Sequence, residues 1–258
     1  MESDPTLIVC PVRADSAEDI DPILQTLVSL QASAPETMVL VVDDRSPAPQ
    51  AQLIEAAAAE LNCAYVLQQD GEGHSAAVNV GLSAAVEHGM DVCLVSPGLL
   101  FETAGWLDNL RARTGTDGTP AAVTGGAVLE STRVIRQAGY FFSLFRRAWG
   151  ARLRHVPEEL LDVHEPLLCP VSSELQFLRR SWIEKVGHYD ELLEGPHAAL
   201  DYCLRIQEAG GQCVLEPTVR ARAIRNVDGE PDPAAPSERR LRLKHANMSF
   251  QRWSPEVI

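Results

Sequence analysis

Met38-Val-Leu-Val-Val-Asp-Asp-Arg-Ser46 joins five apolar residues to two adjacent carboxylates. An apolar run of that length, with no polar residue inside it, reads as a β-strand buried on both faces. The same rhythm repeats on either side. Thr6 to Cys10 is a short apolar run closed by Pro11, a second buried strand. Between the two, Ile20, Ile23, Leu24, Leu27 and Leu30 share one helical face, with Ser16, or Asp21 before Pro22, as the start. Gln50 to Leu61 reads as an Ala-rich helix, Ala64 to Leu67 as a strand, Ser75 to His88 as a helix stopped by Gly89, and Asp91 to Val95 as a strand. Apolar strands alternating with helices predict an α/β fold: a mostly parallel, twisted sheet with helices on both faces. Ligands bind such sheets at the carboxyl ends of the strands. The segments to watch are therefore Pro11 to Arg13, Asp43 to Ser46, Gln68 to Gly73 and Ser96 to Gly98.

The second half is less regular. Ala121 to Leu129 and Leu175 to Leu178 read as strands, Arg180 to Val186 as a short helix, Leu200 to Ala209 as a helix and Cys213 to Leu215 as a last strand. Asp228 to Pro236 is a Pro-rich linker, and Ser237 opens a basic helix expected to reach Trp253. One domain is expected over residues 1–227, with halves 1–110 and 111–227, followed by the linker and helix of 228–258.

The chain has 258 residues, of which 45% are hydrophobic and 22% charged, enough for a proper core. Its net charge of −14 argues against nucleic acid, which needs a basic face. An acidic opening with no long apolar run predicts neither a signal peptide nor a transmembrane helix. The six cysteines form no C-x-x-C pair and fall mostly in apolar runs, as reduced thiols of a cytoplasmic protein would. Residues 140–154 combine Tyr140, Phe141, Phe142, Phe145 and Trp149 with Arg146, Arg147, Arg152 and Arg154. That mixture suits a flap over a binding site, a self-association surface or contact with an anionic membrane surface.

Asp43 and Asp44 carry the first chemistry. One reading makes Asp43 a turn cap and Asp44 a solvated carboxylate. The other has a carboxylate accepting a hydrogen bond from a nucleotide base N–H or a ribose hydroxyl. Here the chain resembles the family 2 glycosyltransferases of the GT-A fold. Leu7-Ile-Val-Cys-Pro-Val12, Leu24-x-x-Leu27-x-x-Leu30 and Val39-Leu-Val-Val-Asp-Asp-Arg-Ser46 are similar to that family's opening. Gly73-His-Ser-Ala-Ala-Val-Asn79-Val-Gly81, Trp106-Leu107, Ile135-Arg-Gln-Ala-Gly139, Val186-Gly-His-Tyr-Asp-Glu191, Asp201-Tyr-Cys-Leu-Arg205 and Asn247-x-x-Phe250-x-x-Trp253 resemble later motifs in the same order.

The resemblance implies transfer of a sugar from a nucleotide-sugar to a glycan or other hydroxyl acceptor, with inversion. Pro11, Val12, Asp44 or Asp43, and Ser96 would bind the nucleotide, with Asn79 on the helix flanking that pocket. Glu174, Asp190 and Glu191 would line the acceptor side. Three departures stand against this pattern. The family's metal-binding Asp-x-Asp is Ser96-Pro97-Gly98 here, so the Mn²⁺ or Mg²⁺ it implies lacks its ligands. The family's Glu-Asp pair before the late helix is Ala198-Ala199, which leaves Asp201 and His197 as candidate bases. Its later histidine is absent, and Arg220, Arg222 and Arg225 in that region are candidates to hold the diphosphate. The alternative is an inactive relative that binds without turnover. A sugar nucleotidyltransferase would need a Gly-rich loop after the first strand, and Pro11-Val-Arg-Ala14 has none.

Overall fold

The alternation expected of the first hundred residues is present in the computed structural model, which describes residues 4–130, 133–161, 167–225 and 231–248. Strand β1 (Thr6–Val12), helix α1 (Ile20–Ser33), strand β2 (Met38–Asp43), helix α2 (Ala48–Glu60), strand β3 (Ala64–Leu67), helix α3 (His74–Glu87) and strand β4 (Asp91–Val95) follow in turn. β1 pairs in parallel with β2 and β4, and β2 with β3. Successive side chains of β1 point to opposite faces. Leu7 and Val9 pack with Val78 and Leu82 of α3. Ile8 and Cys10 pack with Ile23 and Leu27 of α1 and Ile54 of α2. Both faces are covered there, as a wholly apolar strand requires. β3 differs: it is the edge of the sheet, and Val66 and Leu67 are exposed.

Ser16 rather than Asp21 opens the first helical segment. Its amide donates to Asp19 Oδ2 (2.9 Å) ahead of a single 3₁₀ turn that leads into α1. Gly81 explains how closely α3 approaches the sheet. A Cβ at that position would lie 2.3 Å from Val9 Cγ1, so only glycine fits without displacing β1.

The second half adds β5 (Leu99–Phe101), α4 (Trp106–Ala112), β6 (Val123–Leu129), β7 (Ile135–Gln137), β8 (Tyr140–Ser143), β9 (Ala148–Ala151) and β10 (Leu167–Leu168). β11 (Leu175–Leu178), α5 (Arg180–Val186), α6 (Gly195–Glu208), β12 (Cys213–Ala223) and α7 (Pro236–Lys244) complete it. The sheet order is β10-β12-β6-β11-β4-β1-β2-β3, with β5 on β12 and β7 on β6. β11 runs antiparallel to both of its neighbours, β4 and β6, so the sheet is mixed rather than parallel throughout. Parallel neighbours need a long crossover, usually helical; the short strands of this half pair mainly without one.

Some boundaries move. α6 starts at Gly195 rather than Leu200, with Pro196 in its first turn, where the missing N–H has no cost. β12 runs well past Leu215, and its register on β6 shifts between Glu216 and Arg220, around Pro217. The last helix stops at Lys244, with 245–247 in a turn, well short of the expected end at Trp253; residues 249–253 and the first residues of the linker lie outside the described residues.

The aromatic segment forms a two-stranded hairpin of β8 and β9. Tyr140, Phe142 and Trp149 are buried against Leu200 and Leu204 of α6 and Leu241 of α7. Those rings belong to the core and are not available to a membrane or a second copy. The hairpin turn shows Phe145, Arg146 and Arg147 to solvent. Among the described residues, no helix is long and apolar enough to cross a membrane.

Candidate functional site

Three parallel strand ends are tied together by main-chain bonds. The Asp44 amide donates to Val12 O (2.8 Å), and the Gln68 amide donates to Asp43 O (2.9 Å). Pro11 and Val12 are buried in this end of the sheet. Asp43 is fully buried, and both of its oxygens are taken. The Ser46 amide donates to Oδ1 (2.8 Å) and the Tyr65 hydroxyl to Oδ2 (2.9 Å). Asp43 therefore builds the turn, and Asp44 is the carboxylate left for a ligand. Asp44 accepts one bond, from the Gly73 amide (3.1 Å). Burial raises its carboxyl above the ordinary range, against the Gly73 bond and the Arg13 charge. Among the described residues, the buried Gln68 Oε1 beside these strand ends has no hydrogen-bond partner, an acceptor that a base N–H could fill.

Next to these ends lies a cleft of about 290 Å³ lined by Arg13, Ser96, Gly98, Arg136, Glu174 and Arg225. Its floor is the 96–98 loop, which the protein pins from several sides. The Ser96 amide donates to Glu174 O (2.8 Å), and the Gly98 and Leu99 amides donate to Thr26 Oγ1 (2.7 and 3.1 Å). The Ile224 amide donates to Gly98 O (2.8 Å). Arg136, from β7, is 7% exposed; it donates to Arg225 O (3.1 Å) and pairs with Glu174. Arg225 pairs with Asp19 (3.4 Å), and Arg13 with Asp15 (3.0 Å).

The remaining candidates are placed elsewhere. Asn79 is fully engaged in holding the 189–191 turn. It accepts from the Tyr189 amide (2.8 Å) and donates to Tyr189 O (3.1 Å) and Glu191 Oε1 (2.8 Å). Asp190 pairs with Lys244 (2.9 Å) and Arg240 (3.3 Å). Asp190 and Glu191 line a separate groove with Asn79 and Asp70, whereas Glu174 lines the arginine cleft. The three expected acceptor residues are thus not brought together.

His197 and Asp201 both lie on α6, under α7. His197 is buried within the helix. Its Nδ1 is 2.8 Å from Ser237 Oγ and its Nε2 is 3.2 Å from Glu238 Oε2. Asp201 is fully buried, with Arg205 (2.8 Å), Lys244 (2.8 Å) and His245 (2.9 Å) on its oxygens. Burial alone would raise its carboxyl; the bonds from His245 and Lys244 and the Arg205 charge overcome this and hold it at about 2. A carboxylate so acidic, with both oxygens occupied, is a poor proton acceptor. Ala198 and Ala199 beside them are buried too.

Sequence reading missed Arg136, whose only signal was its place inside Ile135-Arg-Gln-Ala-Gly139. Of the three expected phosphate arginines, Arg225 alone lines the cleft. Arg220 pairs with Glu158 (3.5 Å) and Arg222 with Glu102. Nor does the cleft suit a divalent cation. A hard cation wants several anionic oxygens. Here the two carboxylates of the lining, Asp19 and Glu174, are each paired with an arginine, and three guanidiniums surround them. Among the described residues, no group of three or more His, Cys, Asp or Glu could hold a metal.

No family model and no curated protein matches this sequence. Solved structures do match its fold. GalNAc-T7, solved with UDP, GalNAc and Mn²⁺, superposes with a TM-score of 0.70 at 17% identity, over 93% of this chain and 48% of that one. The mannosyltransferase PcManGT from Pyrobaculum calidifontis, solved with GDP-Man and Mn²⁺, gives 0.56 at 16% identity, over 95% and 63%. S. aureus TarS residues 1–349 gives 0.52 at 14%, over 85% and 60%. The chain thus spans about half to three fifths of the length of these proteins. Its mixed sheet, its helical layers and these neighbours together establish that the chain has the GT-A glycosyltransferase fold.

Proposed function

We propose that this chain is a nucleotide-sugar-binding protein on the GT-A fold that does not transfer the sugar by the metal-and-base route its resemblance to family 2 implies. One contrast carries the reading. The strand ends of β1 and β4 open onto a cleft, while both candidate bases, His197 and Asp201, are sealed under α7. Asp44 and Gln68 serve the nucleotide, and the cleft beside them serves the diphosphate. UDP and GDP-Man, present in the matching structures, name the donor class to try first. The six free cysteines support a reducing compartment such as the cytoplasm. A second reading is inverting transfer to a glycan or other hydroxyl. It is favoured by the guanidiniums of the cleft, which could carry the charge of a leaving diphosphate.

Thermal unfolding against a panel of nucleotide-sugars, with release of free nucleotide followed in parallel, separates these readings. Binding at a hundredfold excess over Kd is expected to add about 2.7 kcal/mol, which is several degrees for a chain of this size. One donor should stabilise the protein and remain intact. Steady release of its nucleotide on adding an acceptor would establish the second reading. No shift with any donor would remove nucleotide-sugar binding altogether.

A further inference from the structure

The cleft that rejects a divalent cation has the chemistry to hold the anion such a cation would serve. We propose that Arg13, Arg136 and Arg225 form a metal-independent diphosphate site over the Ser96-Pro97-Gly98 loop. The inference rests on the nucleotide-sugar reading for the identity of the natural ligand, but the site itself is defined by its own donors.

Each guanidinium offers five N–H donors in a planar fork that matches phosphate oxygens. The bonds within the protein occupy only part of them: Arg13 gives one to Asp15, Arg136 gives bonds to Arg225 O and Glu174, and Arg225 gives bonds to Glu18 O and Asp19. Arg136 is held by its bonds to Arg225 O and Glu174, and among the described residues its buried Nε has no partner. Arg13 and Arg225 are about half exposed, so a ligand in the cleft can reach their remaining donors. Arg13 also stands close enough to Asp44 for their charges to interact, so it joins the nucleotide end of the site to the diphosphate end. The loop amides at Ser96, Gly98 and Leu99 are already used inside the protein. The arginines must therefore supply most of the phosphate contacts. Charge-assisted bonds of this kind are the strong ones, and in a partly enclosed cleft they can neutralise a diphosphate without Mn²⁺ or Mg²⁺.

Isothermal titration with inorganic pyrophosphate, UDP and GDP, each in EDTA and each in Mn²⁺, tests the proposal. Pyrophosphate and at least one nucleotide should bind in EDTA, with affinity changed less than about threefold by Mn²⁺. Arg13→Gln and Arg225→Gln alter exposed side chains and should each weaken pyrophosphate binding roughly tenfold. Arg136→Gln alone strands Glu174, so it is paired with Glu174→Gln; the double variant should lose binding by more than about tenfold. Binding that appears only with Mn²⁺, or that survives all three changes, overturns the proposal, as does no pyrophosphate binding at all. Pyrophosphate binding without any nucleotide or nucleotide-sugar binding keeps the arginine site and overturns the nucleotide-sugar reading instead.

Discussion

Asp201→Ala is expected to lower the free energy of unfolding by about 3 kcal/mol or more, because it removes the shared anion of a buried charge cluster. Lys244, His245 and Arg205 all bond to that one carboxylate, and it is fully buried. Lys244 keeps Asp190 and partial access to water, which limits the loss; His245 is buried and, among the described residues, keeps Glu208 as its other acidic partner. The effect should concentrate on α7, whose amides should exchange faster with solvent. Acid pH should mimic the substitution. The Asp201 carboxyl titrates at about 2 when folded against an ordinary 3.8, so the folded protein binds fewer protons between those values. Its contribution, about 2 kcal/mol, is complete above pH 4–5 and is lost as pH falls through 2. Asp201→Ala should flatten that acid limb. Urea denaturation at pH 7 and pH 3 checks both points, and an unchanged midpoint at pH 7 would sink the idea.

Trp106→Ala is expected to cost about 3–5 kcal/mol, the usual range for deleting a large buried ring. Trp106 is 1% exposed and stacks on Phe101 with ring centroids 4.0 Å apart. Its Nε1 donates to Ser33 Oγ at 3.0 Å, which ties α4 to the end of α1. Phe101 belongs to β5, which begins directly after the 96–98 loop. Loss of the indole should therefore loosen the floor of the arginine cleft as well as lower stability. Calorimetry should show a melting temperature roughly 6–20 °C lower, on 2–4 °C per kcal/mol for this size. A drop below about 2 °C would mean that the surrounding core closes over the gap.

Much of the fold was legible because its signals are local. The strand ending in Asp43-Asp44 shows its burial in Val39 to Val42, although Met38 at its start is exposed, and Gly81 shows a close helix–strand approach once Val9 is its neighbour. The second half was less legible because its strands are short and pair with distant partners. Arg136 reaches the cleft only because β7 folds back onto β6, and Arg225 only because β12 continues past its bulge. The burial of His197 and Asp201 was invisible for the same reason. Their partners Ser237, Glu238, Lys244 and His245 lie some forty residues further along the chain. The roles of Asp43 and Asp44 were left open by their adjacency, and hydrogen bonds from Ser46 and Tyr65 separate them.

Phosphorus-31 NMR of UDP or GDP, titrated with the protein in EDTA, tests the central claim most directly. The account predicts that both phosphorus resonances of one of them shift or broaden in proportion to protein, with no divalent cation present. Resonances that stay at their free positions in EDTA and move only on adding Mg²⁺ would contradict it.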